Sequence, residues 1–198
     1  MWLFLLACAG GANKRGESLT TTDLWPDPTD RYQVYRMLDK GADPAADTGT
    51  LGDGTLQAQF SAGGCGDGGG TRVELREGEA WAEASPAGAL HFSAASGLAL
   101  CAFEDDAGET TLYDPPVTLW EDGSTLTEGE VTEAGAWSSA PTGVIPVVTY
   151  YGTFGSGVAF LLSGPGGDPS GWTLTFAQHG GLVIIGTGDY TADLLYFR

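Results

Sequence analysis

The last stretch of the chain, Gly171 to Arg198, constrains its fold more than any other. Trp172, Leu174 and Phe176 alternate with Thr173 and Thr175, the period-two pattern of a strand with one buried and one wet face. His179-Gly180-Gly181 turns the chain into Leu182-Val183-Ile184-Ile185, an apolar run too short for a helix. Gly186-Thr187-Gly188-Asp189 turns it again, into a strand from Tyr190 to Phe197. Three β-rich runs joined by tight glycine turns form a meander, and its most apolar run belongs in the middle.

The same grammar recurs upstream. Leu56, Ala58 and Phe60 alternate with Gln57 and Gln59, and Val73 and Leu75 alternate with Arg72, Glu74 and Arg76. Ala80–Ala84, Leu90–Phe92, Leu98–Phe103, Val144–Tyr151 and Val158–Leu162 continue the series, with glycine-rich turns between most of them. Thirty-two glycines would cost long helices ~1 kcal/mol at each interior position, whereas turns between strands accept them. Tyr113-Asp114-Pro115-Pro116 leads into Val117–Trp120. Two prolines remove two backbone donors, so this segment belongs at a sheet edge or in a crossover. Arg31–Leu38 favours a strand by its aromatic and β-branched content, residues 39 to 54 read as a loop, and Trp137 anchors the acidic segment 121 to 143. The expected fold is all-β: one domain built on a curved antiparallel sheet, an open or half-closed barrel, with a β-sandwich as the alternative. Residues 24–198 form that domain.

The N-terminus carries a separate signal. Leu5-Leu6-Ala7-Cys8 resembles the bacterial lipobox, in which a small residue precedes a cysteine that is acylated and becomes the mature first residue. The apolar stretch Trp2–Ala7 is shorter than an ordinary signal sequence and has no Lys or Arg before it. These two features depart from the pattern; what the lipobox resemblance implies is a lipoprotein signal segment at residues 1–8 and a flexible tether at residues 9–23. The protein would then sit in the bacterial cell envelope, lipid-anchored at the outer membrane or cell surface. With Cys8 assigned to lipidation, Cys65 and Cys101 remain for a disulfide in an oxidising compartment, expected to join neighbouring strands. Closing that loop stabilises the fold by ~2–5 kcal/mol.

Three landmarks in order carry a family resemblance: Leu24-Trp25-Pro26 with Tyr32–Arg36, Tyr113–Pro116, and Phe176-Ala177 with Gly180–Val183. Together they resemble an uncharacterised class of bacterial lipoproteins, similar in pattern to LolA-like and DUF3108-like envelope proteins. The resemblance implies a strongly curved antiparallel sheet that in some members cradles an apolar ligand. No covering helix is evident in this chain.

Charge and motif searches narrow the function by exclusion. The formal net charge is −18, and beyond Lys40 the only basic residues are Arg72, Arg76 and Arg198, so a phosphate backbone would be repelled. No G-x-S-x-G elbow, zinc spacing, P-loop or dinucleotide fingerprint occurs, and no loop spaces three carboxylates for calcium. His91, on the polar side of an alternating strand, and His179, in a turn, are expected at the surface. No cofactor, metal site or catalytic set is expected, and the protein is not expected to be an enzyme. The leading expectation is a non-enzymatic binding or structural module. It would contact the membrane through its lipid anchor and hold an apolar ligand, or an envelope protein, with Trp172, Leu174, Phe176 and Tyr196 as candidate ligand-lining residues. The alternative is a surface-exposed β-sandwich that binds protein or carbohydrate through an exposed aromatic face. Trp25, Trp81, Trp120, Trp137, Trp172, Tyr150, Tyr151, Tyr190 and Tyr196 either line a sugar or lipid groove or, as the ordinary expectation for each, pack in the core.

Overall fold

The computed structural model describes residues 19–26, 30–39, 54–65, 70–95, 97–123 and 127–197. One short helix, α1 (Thr21–Leu24), precedes twelve strands. These are β1 (Tyr32–Asp39), β2 (Gly54–Ala62), β3 (Thr71–Glu77), β4 (Ser85–Ser93), β5 (Gly97–Glu104) and β6 (Thr110–Glu121). They continue with β7 (Thr132–Ala134), β8 (Trp137–Val148), β9 (Thr153–Ser163), β10 (Thr173–Ala177), β11 (Gly181–Gly186) and β12 (Tyr190–Phe197). All twelve lie in one antiparallel sheet, ordered β6-β5-β4-β3-β2-β1-β12-β11-β10-β9-β8-β7. Every neighbouring pair but one is consecutive in sequence. The exception, β1 with β12, joins the two halves of the chain.

The sheet curls until its ends meet, giving a barrel closed except for one seam between β6 and the β7–β8 end. Side chains rather than a ladder bridge that seam. Ser139 Oγ donates to the Thr118 carbonyl at 2.6 Å, and the rings of Tyr113 and Trp137 lie 4.9 Å apart. Prolines explain why pairing stops there: β6 carries Pro115 and Pro116, and β8 carries Pro141 and Pro146. The proline-bearing segment is thus an edge strand, as its missing donors require.

The C-terminal meander forms as its pattern dictates. β11 is central, pairing with β10 on one side and β12 on the other. Its coverage is uneven, however. Leu182, Val183 and Ile185 are fully buried, but Ile184 is only partly so, because it pairs with Thr175 and Asp193 on the outer face.

Inside the barrel, the inward positions of the strands form one apolar cluster. Trp25, which follows α1, sits in its middle, with ring centroids 4.9 Å from Phe92 and 5.8 Å from both Phe60 and Phe176. A capping box starts α1, with Asp23 N donating to Thr20 Oγ1 and Thr20 N donating to the Asp23 carboxylate. Asp122, just past β6, accepts from both Thr21 N and Thr21 Oγ1, and His179 N donates to Asp23 O. Residues 19 to 23, assigned to the tether by composition, therefore pack on the barrel, with Leu19 and Thr21 buried. Residues 1–18 and 40–53 lie outside the described residues, and Cys8 with them.

Candidate binding surface

The four residues proposed to line a ligand space divide. Trp172, Leu174 and Phe176 are buried and packed against other core side chains: Trp172 against Phe103 at 5.4 Å, and Phe176 against Phe92 and Phe160 at 6.0 Å each. Tyr196 is on the outside, 41% exposed. The three interior residues meet side chains rather than open space at these contacts, and Tyr196 does not join them.

Cys65 and Cys101 form the expected disulfide, with a Cα separation of 5.8 Å. Their elements are not neighbours as expected. Cys65 lies in the β2–β3 loop and Cys101 on β5, with β4 in between. The loop must fold across the outside of β4 to reach its partner, and that accounts for His91. His91 is 8% exposed rather than a surface residue, because the backbone at Gly64 lies against its ring. A Cβ at Gly64 would fall 2.5 Å from His91 Nδ1, so only glycine fits there. Burial, with Arg72 nearby, depresses the His91 pKa, partly countered by Glu104, whose carboxylate is 3.6 Å from Nε2. His179 is exposed in its turn, as expected.

Gln57 departs from the alternation for a similar reason. The Tyr32 hydroxyl donates to Gln57 Oε1 and Gln57 Nε2 donates to Gly78 O, so an outward residue becomes fully buried. Beside these, Arg72 binds Glu74 at 2.6 Å and Glu104 at 3.0 Å, while Arg76 binds Glu74 at 2.8 Å and stacks on Trp81. Burial would raise the Glu74 pKa, but the two guanidiniums hold it below the usual carboxylate range. A cleft of about 200 Å³ adjoins this network, lined by Arg72, Glu74, Glu104, Asp105 and Gly108 among others. Its basic groups are already satisfied by the carboxylates. Among the described residues no cluster of three His, Cys, Asp or Glu could hold a metal, and no helix is long and apolar enough to cross a membrane.

A different region gathers the exposed apolar surface. Of the ten large hydrophobic side chains exposed among the described residues, six lie on the β8–β9 hairpin: Val144, Ile145, Val148, Tyr150, Tyr151 and Leu161. Two more, Tyr196 and Phe197, end β12. The hairpin tip is fixed against that strand. Tyr151 N donates to Leu194 O at 2.9 Å, and the Tyr151 ring lies 4.7 Å from Phe197 and 6.1 Å from Phe154. Arg36 Nη1 donates to the Tyr150 hydroxyl at 2.6 Å, and the guanidinium sits 4.7 Å from the centre of the Tyr150 ring. Asp193, beside them, has its pKa pushed up to about 6 by burial, against the opposing pull of the Tyr150 backbone N–H and of Arg36.

The sequence held a signal for this surface that alternation does not register. From Ala134 to Gly167 no charged side chain occurs, in a chain with 26 acidic residues. A charge-free hairpin with several apolar side chains facing water concentrates exposed apolar surface in one place. The barrel and this hairpin define an all-β protein with a packed interior and an apolar outer end. Comparison with protein-family models, with curated proteins and with solved structures finds no match.

Proposed function

We propose that this protein is a bacterial cell-envelope lipoprotein, anchored through an acylated Cys8, whose barrel is a non-enzymatic binding module that makes its contacts through its outer surface. The location of the exposed apolar surface carries this reading. It lies on the charge-free β8–β9 hairpin and the end of β12, while the aromatic side chains of the interior are spent on each other. The lipobox-like Leu5-Leu6-Ala7-Cys8 supports the anchor. Repulsion by the −18 charge argues against nucleic acid as the partner. The test is expression of the full chain in a bacterial host, followed by membrane fractionation and intact mass measurement. A membrane-bound species beginning at an acylated Cys8, with Cys8→Ser shifting the protein to the soluble fraction, is the expected result. A soluble mature species that retains Met1 overturns the anchor.

A further inference from the structure

The hairpin tip, the last residues of β12 and the point at which residues 1–18 join the barrel all lie at one end of the molecule. Asp23 O accepts from His179 N, Arg31 Nη1 donates to Gly180 O at 3.2 Å, and the Arg31 guanidinium sits 5.9 Å from the Phe197 ring. Gly180 in turn lies against Phe154, where a Cβ would come within 2.7 Å of the ring, and Phe154 stacks on Tyr151. The chain therefore enters at Leu19–Thr21, held by Asp122 just past β6, and crosses to His179 at the same end of the barrel that carries Tyr151 and Phe197.

From this juxtaposition we infer that the Val148–Tyr151 tip and the Tyr196–Phe197 end of β12 seat the barrel on a neutral lipid surface. The inference rests on the proposed membrane anchor and names the partner of the proposed outer surface. Exposed tyrosines beside exposed Val148 and Phe197 match the side chains that settle at a membrane interface. The hairpin brings no charge that would have to be desolvated there. The net charge of −18 selects a zwitterionic surface over an anionic one, and it opposes a second copy of the chain as occupant of the same face.

Chain length agrees. Cys8 and Leu19 are eleven residues apart, a reach of at most ~40 Å. A strand such as β8, with 12 residues, is ~40 Å long, and strand tilt reduces its rise along a barrel to ~30 Å. A lipid on Cys8 thus places the α1 end near the membrane with slack to spare, whereas bringing the opposite end down would take most of the tether's reach.

The test uses the full chain carrying Cys8→Ser, so that binding does not depend on acylation, mixed with phosphatidylcholine vesicles. Two readouts are taken, sedimentation with the vesicles and amide hydrogen exchange. The expected results are protection of residues 148–151 and 194–197 on vesicles, and at least tenfold weaker binding when Val148→Asp and Tyr151→Asp are added. Leu112→Asp, at a side chain 74% exposed near the start of β6 and so at the opposite end, should leave binding unchanged. The apolar Trp2–Ala7 is common to all variants, so differences among them report on the barrel. Equal vesicle binding by the tip and Leu112 variants, or no added protection of the tip on vesicles, overturns the inference. Protection of the same residues that grows with protein concentration without vesicles assigns the face to a second copy and also overturns it. Failure of the anchor itself is read separately, from the intact mass of the unmodified Cys8 chain.

Discussion

Trp25→Ala tests how the barrel is filled. The Trp25 side chain is 5% exposed and touches rings from β2, β4 and β10, so its removal opens a space bordered by Phe60, Phe92 and Phe176. Truncating a packed tryptophan costs ~3–5 kcal/mol in lost transfer energy and residual cavity. Each lost aromatic contact adds up to ~0.5–1.5 kcal/mol beyond buried area, though not additively. The expected loss is therefore ~4 kcal/mol, a large share of the ~5–15 kcal/mol that holds a typical domain together. At ~2–4 °C per kcal/mol for a chain of this size, Tm should fall by roughly 8–16 °C. Urea denaturation followed by the fluorescence of the five remaining tryptophans measures the first quantity, and a thermal melt measures the second. Trp81→Ala is the comparison, because Trp81 is partly exposed on the outside, with the Arg76 guanidinium over its ring and Tyr32 edge-on to it. It should cost ~1 kcal/mol. A Trp25→Ala loss below ~1 kcal/mol would refute the packed interior and restore the ligand-holding reading.

Three further outcomes are expected. Ile185→Asp, which places a carboxylate opposite Leu174 inside the barrel, should cost more than ~3 kcal/mol, and Ile184→Asp on the outer face clearly less; equal denaturation midpoints would contradict the facing assigned to β11. Cys65→Ser should destabilise by about 4 kcal/mol, since the disulfide closes a loop with a sequence separation of 36. Releasing the β2–β3 loop should also expose His91, and an NMR titration should find its pKa moved up toward the ordinary histidine value. Asp193 titrates near 6 in the fold and near 4 when unfolded, so the folded state binds its proton more tightly. Its ionisation therefore opposes folding above pH ~6, and that penalty is relieved as pH falls from 6 toward 4. Asp193→Asn should raise stability at pH 7.5 by on the order of 1 kcal/mol, allowing for solvent screening, and remove this part of the pH dependence in urea titrations between pH 4 and 7.5.

The strands of this protein were legible because period-two alternation and glycine turns are local: each run of five to ten residues carries its own evidence of facing. Pro115 and Pro116 marked the edge for an equally local reason, the loss of backbone donors. The Cys65–Cys101 pairing followed from counting thiols once Cys8 was set aside. What could not be read was whatever depends on a second layer of chain. Gln57 and His91 alternate like wet residues but are covered by the Gly78 turn and the disulfide-bound loop. Tyr196 shares aromatic character with Trp172 and Phe176, yet it ends β12 on the outside. Ile184 belongs to an all-apolar run whose composition is silent about its two faces. The exposed apolar surface was half visible, as a long stretch without charge. Its location at the end of the barrel where α1 packs was not, because that depends on β1 pairing with β12 and on the hairpin tip bonding to Leu194. The sequence by itself determined most of the strands, their turns and the edge, since backbone geometry and burial of one face act over a few residues; Ala80–Ala84, which reads as a strand, lies instead in the turn between β3 and β4. Tertiary structure alone decided which residues share an end of the barrel, because contacts between distant segments are set by how the sheet curls and closes.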